Sequence, residues 1–178
     1  MPIPRRMLPA LAGLCLLALP GVTQAAPATV QLRAVHTALA WPAVRRGDED
    51  ASNYRVSMIQ FLLRAHGVSV PVDGRFGPQT QRAVIRFQRA RGLLQTGVVA
   101  NRTWARLIVR LHSGSSGDAV RAAQKVLRDV AAPRVSVDGR FGARTARAVR
   151  AFQREQRLTA DGVVGPETWL ALMENFLD

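Results

Sequence analysis

The same five residues occur twice in this chain, and the match between the two places extends far beyond them. Residues 73–77 and 138–142 both read Asp-Gly-Arg-Phe-Gly, 65 positions apart. At this offset, residues 72–107 and 137–172 are identical at 20 of 36 positions. An internal repeat of this kind indicates a duplicated structural unit. We therefore expect the chain to carry one small unit twice and to perform the function of that unit bivalently.

The first 25 residues are typical of a secretory signal peptide. Arg5 and Arg6 provide a basic start, residues 7–19 are almost all apolar, and small residues occupy the expected cleavage position. This apolar stretch of 13 residues is shorter than the roughly 20 residues that a membrane-spanning helix needs. We expect cleavage after Ala25 and no transmembrane segment in the mature form, with a retained anchor as the alternative. The sequence does not distinguish the general secretory route from twin-arginine export.

Cleavage after Ala25 would leave a basic chain without cysteine. The sequence has 25 Lys and Arg residues against 12 Asp and Glu residues, and its single cysteine, Cys15, lies in the signal peptide. A mature chain without a thiol cannot be a cysteine-dependent transpeptidase. A strong positive charge often indicates nucleic-acid binding, but export opposes that interpretation. We therefore expect the acidic polymers of the cell envelope, and no nucleic acid, as partners.

Apolar residues at helical spacing predict three helices in each unit. The first helices have the apolar faces Val56, Ile59, Leu63 and Val120, Ala123, Leu127, Val130. The second helices begin near Pro78 and Ala143 and bury Val84, Phe87, Val149 and Phe152. The third helix of the second unit begins at Pro166, because proline favours the first position of a helix. The faces predicted for the third helices are Trp104, Leu107, Ile108, Leu111 and Trp169, Leu172, Met173, Phe176.

A shorter echo of the repeated motif lies within the second unit. Residues 138–145 read Asp-Gly-x-Phe-Gly-x-x-Thr, and residues 161–168 read Asp-Gly-x-Val-Gly-x-x-Thr. In both places, the aspartate can accept hydrogen bonds from free backbone N–H groups near the start of a helix. In the first unit, Thr96 stands in place of the second aspartate. We therefore expect the third helix of the first unit to begin less sharply.

These motifs, in this order, resemble the peptidoglycan-binding domain family with a three-helix fold. The resemblance is carried by Val120…Gln124…Leu127, by the two Asp-Gly motifs, by Ala148-Val149-x-x-Phe152-Gln153 and by Thr168-Trp169. It covers residues 41–111 and 112–178, after a linker at residues 26–40. It implies an all-α protein of two tandem three-helix modules. Domains of this family are typically appended to cell-wall hydrolases, and related domains are pro-segments of some metalloproteases. Residues 113–117, Ser-Gly-Ser-Ser-Gly, are typical of a short flexible connection.

Most of the shared motif is expected to serve folding, and the candidate ligand-binding residues are the polar ones that both units retain. These residues are Arg75, Arg82, Gln88 and Arg89 in the first unit, and Arg140, Arg147, Gln153 and Arg154 in the second. The second and third arginine of each unit are seven residues apart and share one helix face. Guanidinium groups suit the carboxylates of peptidoglycan stem peptides. A solvated helix face is the alternative for the arginines, and a structural tie between loop and helix is the alternative for the glutamines.

We expect no catalytic residues, no metal site and no cofactor. The three histidines, His36, His66 and His112, lack metal-ligand spacing, and no H-E-x-x-H motif occurs. The leading hypothesis is a monomeric protein of the periplasm or cell wall that binds peptidoglycan, by its glycan, its stem peptide or both, without cleaving it. One alternative is a cell-wall hydrolase of amidase type with an unrecognised active site. Another is an interaction or pro-segment-like module for a separate secreted cell-wall enzyme.

Overall fold

The structure, a computed structural model, describes residues 40–49, 54–130, 132 and 134–174. Within these ranges the chain forms six α-helices and no β-strand, which confirms the all-α class and three helices in each repeat. The helices are α1 (Arg55–Ala65), α2 (Pro78–Ala90), α3 (Asn101–Leu107), α4 (Asp118–Val130), α5 (Ala143–Glu155) and α6 (Pro166–Glu174). The predicted signal peptide, the linker except Ala40, and Phe176 lie outside the described residues.

The helix starts follow the sequence signals. Helix α2 begins at Pro78, α5 at Ala143 and α6 at Pro166, as predicted. The apolar faces predicted for the first two helices of each module are buried, except for the half-buried Val130. The tryptophans of α3 and α6 are fully buried, and each donates a hydrogen bond from its indole Nε1. Trp104 donates to Pro42 O at 2.8 Å, and Trp169 donates to Val109 O at 2.7 Å. These tryptophans are therefore core residues rather than exposed sugar platforms.

An extended segment precedes the first helix of each module and pairs with the turn before the third. Val44 forms an antiparallel bridge with Val99, and Leu111 forms the equivalent bridge with Val164. The prediction that Leu111 lies on the third helix of the first module is therefore wrong. Helix α3 ends at Leu107, because Leu111 exchanges two backbone hydrogen bonds with Val164, at 3.1 and 2.8 Å.

The Ser/Gly-rich residues 113–117 form an ordered turn of the second module, although their composition predicts a flexible connection. Gly114 N donates to Phe141 O at 3.0 Å, and Gly117 N donates to Gly139 O at 2.9 Å. In the first module, Gly47 N donates to Phe76 O in the same way. The turn is part of the duplicated unit, so the two modules follow each other without a free linker.

The two modules pack against each other through their first helices. Helices α1 and α4 make the most extensive contact between any two helices of the described chain. Besides the face that each helix turns to its own module, a second set of apolar side chains is buried: Met58 and Leu62 on α1, and Ala119, Ala122 and Val126 on α4. The buried side chains of both modules form one continuous hydrophobic core.

Polar contacts show that α1 and α4 run antiparallel. Arg64, near the end of α1, forms an ion pair of 2.9 Å with Asp118 at the start of α4. At the opposite end, the Lys125 ammonium lies 4.5 Å from the ring centroid of Tyr54. The same helix of each repeat thus packs antiparallel to its counterpart, as in a two-fold symmetric dimer.

Candidate functional site: a basic pocket beside a buried glutamine

Four buried glutamines organise the turns of the molecule, two in each module. They are Gln60, Gln88, Gln124 and Gln153, and each is at most 1% exposed. Each lies on a helix and forms hydrogen bonds with the turn that precedes the next helix. Its Nε2 also donates to the hydroxyl of a threonine on that next helix. We call each arrangement a glutamine cradle. The turn motif and its echo are therefore two versions of one device, repeated in both modules.

The cradle of Gln124 illustrates the geometry. Its Nε2 donates to Asp138 Oδ1 at 2.8 Å, to Arg140 O at 2.9 Å and to Thr145 Oγ1 at 3.2 Å. Its Oε1 accepts from Gly139 N at 2.8 Å. Gly139 has a φ of +76°, and an added Cβ would lie 3.0 Å from the Arg121 guanidinium. The left-handed φ therefore favours glycine at this turn, whereas the Arg121 side chain could shift to make room for a Cβ.

The cradle of Gln88 is the weakest of the four. Thr96 Oγ1 accepts from Gln88 Nε2 and from Val98 N, both at 3.2 Å. The matching aspartate in the second module, Asp161, accepts at 2.8 and 2.9 Å. Helix α3 nevertheless begins at Asn101, the counterpart of Pro166. The threonine lengthens the hydrogen bonds of the turn without moving the start of the helix.

Gln88 and Gln153 therefore hold the fold together, and their amides are turned away from solvent. Of the two roles left open for them, their burial and internal hydrogen bonds favour the structural one. Gln60 and Gln124, which were not among the candidate residues, play the same part in the first turn of each module. The signal that could have identified them is their correspondence at an offset of 64 residues.

The retained arginines lie on the surface, and two of them line the same pocket. Arg140 and Arg147 line a pocket of 410 Å³ together with Arg144, Ser136 and Thr145. We call this pocket the basic pocket. Arg154 lies nearly two turns further along α5, outside this pocket. Arg144 was not a candidate, because its counterpart in the first module is Gln79 and only residues retained in both copies were singled out.

The three arginines of the first module have different surroundings. Arg75 Nε lies 4.0 Å from Glu49 Oε1. Arg89 Nε donates to Gln95 Oε1 at 3.1 Å. Arg82 is exposed on the outer face of α2. The three guanidinium groups of the first module therefore differ in their local partners.

Each first turn carries an aspartate that is ionised at neutral pH. The pKa of Asp138, which lines the basic pocket, is held below its ordinary value chiefly because Arg140 N donates to its Oδ1, and secondly because Gln124 does. The pKa of Asp73 is lowered in the same way, chiefly by the backbone N–H of Arg75. These hydrogen bonds stabilise the charged form of a carboxyl group.

A second pocket, of 600 Å³, lies in the first module between the end of α2 and the start of α3. Its lining includes Trp41, Leu93, Leu94 and Arg102. Leu94 is 83% exposed. In the described ranges, no three His, Cys, Asp or Glu side chains come together as they would around a metal ion. In the same ranges, none of the helices has the length and apolar character needed to cross a membrane.

Comparison with known proteins identifies the modules. The family model described as "Putative peptidoglycan binding domain" matches residues 52–107 and 116–172, one match for each repeat. The chain therefore belongs to the peptidoglycan-binding domain family, and it carries two copies of the domain in tandem. This confirms the resemblance drawn from the turn motifs.

The most similar proteins include enzymes of cell-wall metabolism. The chain is 33% identical over 150 residues to the N-acetylmuramoyl-L-alanine amidase CwlM of Mycobacterium tuberculosis, covering 73% of this chain and 37% of the amidase. It is 28% identical over 146 residues to a probable N-acetylmuramoyl-L-alanine amidase of Bacillus licheniformis, covering 66% of this chain and 41% of that protein. The chain thus spans about two fifths of the length of these relatives.

One solved structure is also similar, the crystal structure of a peptidoglycan-binding protein from Clostridioides difficile in complex with glutamine hydroxamate. It is 32% identical in sequence, with a TM-score of 0.35, and covers 37% of this chain and 40% of that one.

Proposed function

We propose that this chain is an exported, non-catalytic protein of the cell wall whose two modules bind peptidoglycan together. The observation that carries the proposal is the family match over both repeats, at residues 52–107 and 116–172. The basic pocket of the second module supplies suitable chemistry. Guanidinium groups form charge-assisted, two-point hydrogen bonds with carboxylates, which peptidoglycan stem peptides provide.

Bivalent binding is supported by the packing of α1 on α4. A module that is held at a fixed position beside its partner reaches a second site on the same polymer at a high local concentration. Two linked contacts can exceed the affinity of one contact by roughly 10²–10⁴ when the geometry permits both. The absence of a free linker between Leu107 and Asp118 makes this geometry a fixed property of the protein.

The names of the relatives raise a second candidate, a cell-wall hydrolase of amidase type. The chain corresponds to 37% and 41% of the two amidases. We propose that the shared segment is the part of those proteins that binds the wall. If this is correct, purified sacculi incubated with the protein release no muropeptides above the level of a buffer control. Release of muropeptides would favour the hydrolase.

The decisive experiment is a pull-down of the full chain on purified cell-wall sacculi. We expect the protein to remain in the pellet at moderate salt and to be displaced by soluble peptidoglycan fragments. If the protein stays in the supernatant under these conditions, the proposed function is wrong.

The arginine surface is tested in the same assay with paired substitutions. We expect Arg82→Ala with Arg147→Ala to weaken retention while the melting temperature stays unchanged, because both side chains are exposed. Arg106→Ala with Arg134→Ala is the matched control, since it removes the same charge from exposed positions outside the basic pocket. Equally weakened retention of the two double variants would show that the effect is one of net charge, and unchanged retention of Arg82→Ala with Arg147→Ala would reject the arginine surface.

A further inference from the structure

The arginine in the first turn of each module, Arg75 or Arg140, is paired with a different residue in the two modules. Glu49 forms an antiparallel bridge with Arg75, and Ser116 forms the equivalent bridge with Arg140. Residues bridged in this way lie side by side, so their side chains are close enough to interact. The duplicated modules therefore place an acid beside the arginine in one copy and a neutral hydroxyl in the other.

In the first module, this acid partly neutralises the surface. The Glu49 carboxylate lies 4.0 Å from Arg75 Nε, and both side chains are more than half exposed, at 62% and 74%. An incoming anion would have to compete with Glu49 for the guanidinium and would be repelled by the carboxylate. The neighbouring Asp48 adds a second acid to the same turn.

In the second module, the matching surface keeps its positive charge. Arg140, Arg144 and Arg147 line one pocket of 410 Å³, and Asp138 is the single acid in its lining. That aspartate has a counterpart in the first module, Asp73, so it does not distinguish the two copies. Three differences in charge distinguish them: Ser116 in place of Glu49, Ser115 in place of Asp48, and Arg144 in place of Gln79. Together they raise the local charge of the second module by three units.

We propose that the second module is the one that binds the carboxylates of peptidoglycan stem peptides, and that Glu49 weakens the equivalent binding surface of the first. The inference rests on the proposed function and refines it, since both modules face the wall polymer but differ in their affinity for its acidic groups. Glu49 and Ser116 are the positions directly beside the turn arginine, so an exchange of these two residues tests their share of the difference.

The test exchanges the two residues in the full chain. The variants are Ser116→Glu and Glu49→Ser, and the probe is a soluble muramyl peptide with free stem carboxylates, titrated by calorimetry and by NMR of the arginine Nε–H groups. In the unmodified protein we expect Arg140 and Arg147 to shift at lower probe concentration than Arg75 and Arg82. Equal shifts in both modules would overturn the proposal.

The exposed ion pair between Glu49 and Arg75 sets the size of the expected effects. Exposed pairs of this kind change equilibria by up to about fivefold. We expect Ser116→Glu to weaken binding to the second module about three- to fivefold, and Glu49→Ser to strengthen binding to the first by a similar factor. If neither substitution changes the affinity of its own module, the proposal is wrong.

Matched controls separate a local effect from a change of net charge. Ser113→Glu adds the same charge to an exposed position of the same turn, and Glu155→Ser removes one acid from the exposed far end of α5. We expect both controls to bind like the unmodified chain. If Ser113→Glu weakens binding as much as Ser116→Glu, the effect does not come from the position beside Arg140, and the inference fails.

Two further arms identify the anion and separate this inference from the proposed function. A muramyl peptide with amidated carboxylates should bind more weakly than the free acid, whereas inorganic phosphate at equal concentration should not displace the free acid. Displacement by phosphate would replace carboxylate with phosphate as the ligand chemistry and overturn the proposal. Retention on sacculi with unchanged affinities in the exchanged variants would reject the inference and leave the proposed function standing. Loss of retention by the unmodified chain would reject the proposed function.

Discussion

Single side chains hold the turns of this protein in place by hydrogen bonds, and at four turns this side chain is a glutamine. A turn that faces the core brings backbone N–H and C=O groups away from water, and these groups need partners. A buried glutamine supplies a donor and an acceptor from one side chain, and each of the four satisfies a glycine or aspartate N–H and a carbonyl of its turn. The retained Asp-Gly motif is therefore explained largely by folding.

Replacing Gln124 with leucine should destabilise the protein by about 2 kcal/mol. The substitution leaves Gly139 N without its partner in a buried position, and an unpaired buried group costs roughly 1–3 kcal/mol. Arg140 O loses the bond from Gln124 but keeps those from Gly142 N and Thr145 Oγ1. The free energy of unfolding is measured by urea denaturation. Gln79→Leu, on the exposed face of α2, is the control and should change it by less than about 0.5 kcal/mol. A Gln124→Leu variant as stable as this control would contradict the structural role.

Stability should fall in acid because Asp73 and Asp138 must become protonated. Their pKa values lie below the ordinary value of 3.8, chiefly because backbone N–H groups of Arg75 and Arg140 donate to the carboxylates. A carboxyl group with a lowered pKa in the folded state stabilises the protein above its unfolded pKa, and this contribution is lost as the pH falls through the folded value. We therefore expect the urea midpoint to decrease as the pH drops below 3.8.

The matched variant for this pH dependence is Asp73→Asn with Asp138→Asn. Asparagine keeps an oxygen that accepts the backbone hydrogen bond but cannot be protonated in this range. The decrease in midpoint below the ordinary aspartate pKa should then be smaller than in the unmodified chain. An equally steep decrease would assign the acid sensitivity to other carboxyl groups.

The candidate site was predictable only where the two copies agree. Arg140 and Arg147 were found because Arg75 and Arg82 repeat them. Arg144 was not a candidate because its counterpart is Gln79, and a comparison of copies emphasises what they share. Glu49, whose counterpart is Ser116, belongs to the acidic run 48–50, which by composition is typical of a solvated loop. The residues that differ between the modules are thus the ones that a search for shared residues does not find.

At the scale of helices, one buried face per helix was predictable and the second was not. The spacing of Val120, Ala123 and Leu127 predicts the face of α4 that packs on its own module, and these residues are buried. Ala119 and Ala122 are buried as well, on the side that meets α1. Alanine is common on any helix surface, so its presence there does not indicate a contact with another module. The contact becomes evident only when both modules are folded side by side.

The close approach of α1 and α4 depends on small side chains, so Ala122→Leu should separate the helices. Adding three carbon atoms to a packed interface typically costs about 1–3 kcal/mol through strain. The variant should have a lower melting temperature than the unmodified protein. Ala151→Leu, at an exposed position of α5, makes the same change outside the interface and should leave the melting temperature nearly unchanged. Similar melting temperatures for the two variants would contradict a packed interface at Ala122.

At the scale of the whole molecule, the duplication predicts two modules but not how they are joined. The Ser/Gly-rich residues 113–117 suggest a hinge by composition, whereas their hydrogen bonds to Phe141 and Gly139 place them inside the second module. The relative position of the modules is set by the contact between α1 and α4, and by Arg55, which donates to Met173 O at 3.3 Å. Long-range contacts of this kind leave no periodic signal in the sequence.

A shared core predicts that the two modules unfold together. The buried side chains of both repeats form one cluster, so the loss of either module exposes apolar surface on the other. In differential scanning calorimetry we expect a single transition whose calorimetric and van't Hoff enthalpies agree, as for a two-state domain. Leu62→Asp, which places a charge in the buried contact with α4, should lower the melting temperature and split the transition. Two resolved transitions in the unmodified protein would contradict the prediction, because modules that unfold independently cannot depend on a common core.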